Sequence, residues 1–167
     1  MRILGIDPGL AAVGWGLIVH PAGGPDAVRW GALHTPAGQA TAQRLRHIHD
    51  ALRDLIAELR PEAIAIEQLF FATNVKTAMA VAQARGVIVL ATAESGLDAA
   101  EYTPLQIKKA VTGRGGATKP QVQKMVAALL GLREIPRPDH AADALAAALC
   151  HAHTLKMARL IGPGRAR

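Results

Sequence analysis

Two short apolar runs that each end in a carboxylate constrain this chain more than any other feature. Ile3-Leu4-Gly5-Ile6 closes on Asp7-Pro8-Gly9, and Ala63-Ile64-Ala65-Ile66 closes on Glu67. Strands that are apolar on both faces belong at the centre of a covered sheet. An ionised carboxylate at such a place costs several kcal/mol unless it is paired, hydrogen-bonded or bound to a cation. Read singly, Asp7 is also a turn-former before Pro-Gly, and Glu67 is also a partner for a nearby arginine.

The rest of the chain supplies the cover for such a sheet. Val13 to Val19 and Val28 to His34 read as two further strands, with a Gly- and Pro-rich hairpin loop from Pro21 to Asp26 between them. Thr41 opens an amphipathic helix with Leu45, Ile48, Leu52, Leu55, Ile56 and Leu59 at helical spacing, and Pro61 stops it. An alanine-rich helix follows from Asn74 to Ser95, with Gly86 as a candidate break, then a strand over Ala100 to Thr103. Pro104 opens another helix. Thr118, with Gln121 three residues on, caps the next one, which carries the stripe Val122, Met125, Val126, Leu129 and Leu130. A last helix begins near Pro138 and runs to about Met157. Three antiparallel strands, then strands separated by helices, make one α/β domain with a mixed sheet over residues 1–158. Residues 159–167 form a basic, flexible tail.

A third acid sits on the last helix. Asp139-His140-Ala141-Ala142-Asp143 places His140 and Asp143 three apart on one helical face, among Ala and Leu. Asp139 falls in the first turn, where the macrodipole favours an acid anyway. An acid such as Asp143 inside an apolar face is hard to explain without a cation. Convergence of Asp7, Glu67 and Asp143 would suit Mg²⁺, a hard ion that takes oxygen ligands. Two such ions about 4 Å apart can activate water for phosphodiester cleavage. That chemistry needs no protein nucleophile.

Charge points to the substrate class. Nineteen Lys and Arg against 13 acids give +6, a balance that favours a polyanionic partner such as nucleic acid. Between Pro104 and Pro138 the bases Lys108, Lys109, Arg114, Lys119, Lys124, Arg133 and Arg137 face Glu134 alone. The single cysteine, Cys150, excludes an intramolecular disulfide and suits a reducing compartment. Asp7-Pro8-Gly9 interrupts the apolar N-terminus, which argues against a signal peptide, and no run is long enough for a membrane span. A soluble, cytoplasmic protein is expected.

Together, ILGIDPGL, AIEQLFF, QARGV, TKPQVQKMV and HAADALAAALCH resemble, in order and spacing, the RuvC family of crossover junction endodeoxyribonucleases. The likeness runs from Met1 to about His153. It implies a ribonuclease H-like fold, with a mixed five-stranded sheet flanked by helices. It also implies a homodimer that nicks two opposed strands of a four-way (Holliday) DNA junction in recombination and repair, leaving 5′-phosphate and 3′-hydroxyl ends. Asp7, Glu67 and Asp143 become catalytic metal ligands, and the fourth family position falls on His140, where many members carry Asp. An imidazole removes a negative charge and is a softer ligand, so Mn²⁺ is expected to substitute for Mg²⁺ or to work better. Asp139 is the rival for that position. The resemblance further assigns Lys108 and Lys119 to DNA binding or catalysis and Phe70 to stacking on bases opened at the crossover. It also implies the RuvA–RuvB branch-migration complex as a partner.

Phe71, Lys109, Arg114 and Lys124 extend the expected DNA surface. The stretch from Thr77 to Ala84 is apolar nearly all round and so is expected to be buried, in part by a symmetric copy of the chain. His151 and His153 diverge by about 200° on a helix and make a poor metal pair. Trp15 and Trp30 read as core. Two other functions are weaker. An actin-like phosphotransferase needs a longer, duplicated chain, and a non-catalytic DNA-binding module has no need of three buried acids.

Overall fold

The computed structural model describes residues 1–19, 26–68 and 75–161, with side chains described over 1–19, 29–68 and 78–158. The five strands are β1 (Arg2–Asp7), β2 (Ala12–Val19), β3 (Asp26–His34), β4 (Ala63–Glu67) and β5 (Ala99–Tyr102). They form one sheet in the order β3-β2-β1-β4-β5. β1, β2 and β3 pair antiparallel, while β1, β4 and β5 run parallel. The expected mixed sheet is therefore present. Five helices accompany it: α1 (Thr41–Leu59), α2 (Val75–Glu94), α3 (Pro104–Thr112), α4 (Lys119–Leu129) and α5 (Asp139–Ile161).

Register explains how the two strand-end acids meet. Ile6 pairs with Ile66 across the parallel β1–β4 ladder, so Asp7 and Glu67, the last residues of the two strands, come side by side. Side chains alternate between faces along each strand. Leu4, Ile6, Ile64 and Ile66 point to a core formed with Ile48, Leu52 and Ile56 of α1 and Ile88 of α2. Gly5 and Asp7, with Ala65 and Glu67, face the other way, toward α5.

On that second face the packing is close. A Cβ on Gly5 would stand 1.8 Å from the Ala144 carbonyl oxygen, and one on Gly14 would stand 2.1 Å from that of His140. Only glycine lets α5 lie directly on β1 and β2. Ala141, Ala144, Ala147 and Ala148 of α5 are fully buried in return. The helix alignment that carries His140 and Asp143 is thus fixed by backbone against backbone.

Two expectations need correction. α2 is one uninterrupted helix, and Gly86 does not break it, because that residue faces open space and only its propensity is lost. Within one chain Ala84, Ile88 and Ala91 of α2 are inside, while Met79 is 60% and Leu90 53% exposed, on the helix where burial by a second copy is expected. The last helix, α5, continues to Ile161, beyond its expected end near Met157. Among the described residues no helix is long and apolar enough to cross a membrane. Trp15 is core, as expected, and Trp30 is partly buried against the core on the opposite face of the sheet.

Candidate active site

Asp7 reaches the site from β1, Glu67 from β4, and His140 and Asp143 from the first turns of α5. His140 Nδ1 and Asp7 Oδ2 are 2.6 Å apart. One donor atom each from Asp7, His140 and Asp143 lies within 4.8 Å of the others, an arrangement able to hold a metal ion. Glu67 and Asp143 line an adjoining cleft of about 300 Å³ together with Lys108, Lys119, Ile107 and Val122. The sequence alone gives no sign that Lys119 reaches Asp143, yet its Nζ donates to Asp143 Oδ2 at 2.7 Å. The N-terminus of α4, set by the capping box of Thr118 and Gln121, aims it there.

Electrostatics of the group follow from burial and crowding. Burial, then the charges of Asp7 and Asp143, push the Glu67 carboxyl up to about 8, against the opposing pull of Lys119 and Lys108. Burial also raises Asp143, and its bond to Lys119 offsets only part of that. The hydrogen bond to Asp7 raises His140 despite partial burial. For Lys119, burial acts to lower the pKa, but the bond and charge of Asp143 outweigh it and hold the ammonium above its ordinary range. Three carboxylates share too little positive charge. A divalent cation among these oxygen donors would relieve that imbalance, so the residues fit a hard metal ion.

His140 meets Asp7, whereas Asp139 turns to Arg137 at the surface. Of the expected DNA-binding residues, Lys108 and Lys119 line the cleft with Glu67 and Asp143. Arg114 and Lys124 instead border a separate groove of about 940 Å³ with Gln121 and Met125, and Lys124 lies about 140° around α4 from Lys119. Lys109 lies near Gly115 in the α3–α4 turn. Phe70 and Phe71 lie outside the described residues. His151 and His153 have other partners, the Tyr102 hydroxyl and the Ala110 carbonyl, in keeping with their poor metal geometry.

Sequence reasoning missed the supports around Glu67. The backbone N–H of Gln68 donates to the Tyr102 carbonyl at 2.8 Å. The Gln68 side chain contacts Glu101, which is ion-paired with Arg85 of α2. QARGV and AIEQ contain Arg85 and Gln68, but they meet through Glu101 on β5, and no spacing in the chain reveals that link.

Comparison with known proteins agrees with this geometry. The sequence pattern of the family described as Crossover junction endodeoxyribonuclease RuvC matches residues 3–151. A crossover junction endodeoxyribonuclease RuvC from Moorella thermoacetica is 58% identical over 152 residues, covering 91% of each chain. The structure of Thermus thermophilus RuvC superposes with a TM-score of 0.87 at 36% identity, over 94% of this chain and 96% of that one. The same Thermus protein in complex with Holliday junction substrate gives 0.85 at 34% identity, with the same coverage. The mixed sheet with its helices is the ribonuclease H-like fold that the motifs implied, and the chain belongs to the RuvC family of crossover junction endodeoxyribonucleases.

Proposed function

We propose that this chain resolves four-way DNA junctions, nicking two opposed strands to leave 5′-phosphate and 3′-hydroxyl ends. The observation that carries the proposal is the convergence of Asp7, Glu67, His140 and Asp143 where the inner strands β1 and β4 end under α5, in a chain that matches the family over residues 3–151. Asp7, Glu67, Asp143 and His140 hold two divalent ions, Mg²⁺ or Mn²⁺. When bound, the ions supply an activated water and stabilisation of the leaving oxygen. Asp7 fixes His140 through Nδ1, which leaves Nε2 to bind metal or to place the attacking water. Because an imidazole replaces an acid here, Mn²⁺ supports cleavage at least as well as Mg²⁺. Lys108 and Lys119 neutralise the phosphate at the cut. Lys109, Arg114 and Lys124 contact the flanking backbone, so binding weakens steeply with salt. Phe70 stacks on bases opened at the crossover, and Phe71 extends the DNA-binding surface.

Paired nicks require two sites, and α2 offers the means. Met79, Ala82, Gly86 and Leu90 recur on one exposed face of the helix, apolar and small enough for close approach of a second copy. The functional unit is a C2 dimer of single nuclease domains, residues 1–158, acting in the cytoplasm with the RuvA–RuvB branch-migration complex. Leu90→Glu should yield monomers in sedimentation at micromolar concentration. A monomeric wild-type chain would contradict the dimer.

Cleavage of a synthetic four-way junction beside a linear duplex of the same sequence, with and without Mg²⁺ or Mn²⁺, tests the main proposal. Metal-dependent cutting confined to the junction is expected. Equal cutting of both substrates would sink the resolvase reading while leaving the nuclease intact.

A further inference from the structure

The turn that follows Asp7 is held from outside the metal site. Pro8 to Ala11 join β1 to β2, and the course of this turn decides where the Asp7 carboxylate points. The Leu10 carbonyl accepts from the Thr35 hydroxyl at 2.7 Å and from Arg44 Nη2 at 3.2 Å. Arg44 Nε donates to Thr35 Oγ1 at 2.8 Å, and the Thr35 N–H donates to the Ala11 carbonyl at 3.1 Å. Two successive carbonyls of the turn are therefore tied to the residue after β3 and to the first turns of α1.

Two features mark this as a built device. Thr35 is only 8% exposed, so water cannot replace the bonds of its hydroxyl. Arg44 lies near the N-terminus of α1, where the macrodipole disfavours a cation. Arg29, Arg46, Arg53, Arg85 and Arg137 pair with carboxylates, but Arg44 directs its donors to neutral oxygens. A charge-assisted bond to a carbonyl is a strong way to fix a short turn.

We infer that Arg44 and Thr35 are positioning residues for Asp7, locking the β1–β2 turn so that its carboxylate meets His140 and a bound cation in one geometry. The inference rests on the reading of Asp7 as a metal ligand. Neither side chain touches the reacting atoms; both act through the Leu10 and Ala11 carbonyls.

The test combines three measurements on the full-length chain. They are Mn²⁺ binding to the DNA-free protein by electron paramagnetic resonance, junction affinity without added metal, and single-turnover nicking at saturating protein. Arg44→Met and Thr35→Val should each weaken Mn²⁺ binding and slow nicking by about tenfold, the scale at which groups supporting metal ligands act. Junction affinity should stay within about twofold. Thr35→Ser keeps the hydroxyl and should restore most of both losses. Wild-type Mn²⁺ binding in Arg44→Met and Thr35→Val would overturn the inference. So would a loss confined to junction affinity, which would make Arg44 a phosphate contact, or equal damage from Ser and Val at position 35. Should Arg44→Met fail to fold, the near-isosteric pair at Thr35 decides. Asp7→Asn is the reference: if it binds Mn²⁺ like wild type, the metal-ligand reading fails and the positioning role falls with it. Loss of Mn²⁺ in Asp7→Asn alone rejects only the positioning role.

Discussion

The two faces of the sheet are packed by different means, and only one of them carries the chemistry. Under α5, Gly5 and Gly14 meet helix backbone directly, and the helix returns a row of buried alanines. On the opposite face, Leu4, Ile6, Ile64 and Ile66 interlock with Ile48, Leu52, Ile56 and Ile88. Long aliphatic side chains can change rotamer and absorb a small displacement. Backbone against backbone cannot, because no side-chain torsion is available to adjust. A site whose donors are split between a strand and a helix needs the second kind of packing. Interlocked aliphatic side chains suffice for α1 and α2, which carry none of those donors.

The sharpest way to break this contrast is Gly5→Ala. One methyl group placed 1.8 Å from the Ala144 carbonyl oxygen must push α5 away from β1. Urea denaturation should show a loss of more than about 3 kcal/mol, or no folded protein at all. Where protein can be recovered, Mn²⁺ binding should fail as well, since His140 and Asp143 move with the helix. A loss below that of a cavity in the opposite core would show that the helix–sheet distance is not tightly set.

Asp7→Asn attacks the chemistry on the same face while sparing the packing. Nicking of the junction should fall by at least about a thousandfold, with the thermal transition retained. The amide removes one of the charges that hold Glu67 protonated, so the fold loses a repulsion and the site loses a ligand. Coupled loss of folding and activity would place Asp7 among the structural residues.

Ile88→Ala tests the aliphatic face. The deletion leaves a cavity between α2 and the sheet and should cost about 2–4 kcal/mol in urea. Mn²⁺ affinity should remain within about twofold of wild type, because the donors lie on the other side of the sheet. If metal binding collapses with Ile88, the two faces are not independent.

How far the sequence displays all this depends on the distance over which each feature is encoded. Asp7 and Glu67 are legible because each closes a short apolar run, and the pattern is local. His140 and Asp143 are legible through helical spacing. The alanine content of α5 signals close packing, but the glycines that receive it lie on other elements, more than a hundred residues away. Lys119 could be listed as a base, yet its reach to Asp143 depends on how α4 docks against α5. Gly86 suggests a break in α2, but the helix runs through it for a physical reason. Glycine costs a helix only about 1 kcal/mol. Thr35 and Arg44 carry no local signal, since their partners are main-chain carbonyls that any residue could supply.

The smallest expected effect concerns pH, and it separates the charged site from the rest of the fold. Glu67, pushed up to about 8 from an ordinary 4.5, keeps a proton that the unfolded chain has released. Across that window the folded state binds more protons, so stability falls as pH rises. His140, also raised, stabilises the fold fully below 6.5 and loses that contribution as pH climbs through its folded value; His49, held up by Asp50 and Glu94, behaves alike. His151 is lowered by burial and acts with the opposite sign, but only below 6.5, where its folded and unfolded forms differ. Denaturation in EDTA should therefore show stability declining from about pH 6.5 to 8.5, by on the order of 1–2 kcal/mol. Saturating Mg²⁺ should remove most of the decline, because a bound cation favours the carboxylate over the acid. Glu67→Gln should flatten the EDTA profile in the same way, leaving the contributions of the raised histidines. A profile that Mg²⁺ leaves untouched in wild type would place Glu67 outside the metal-binding group and confine the chemistry to the face formed by Asp7, His140 and Asp143.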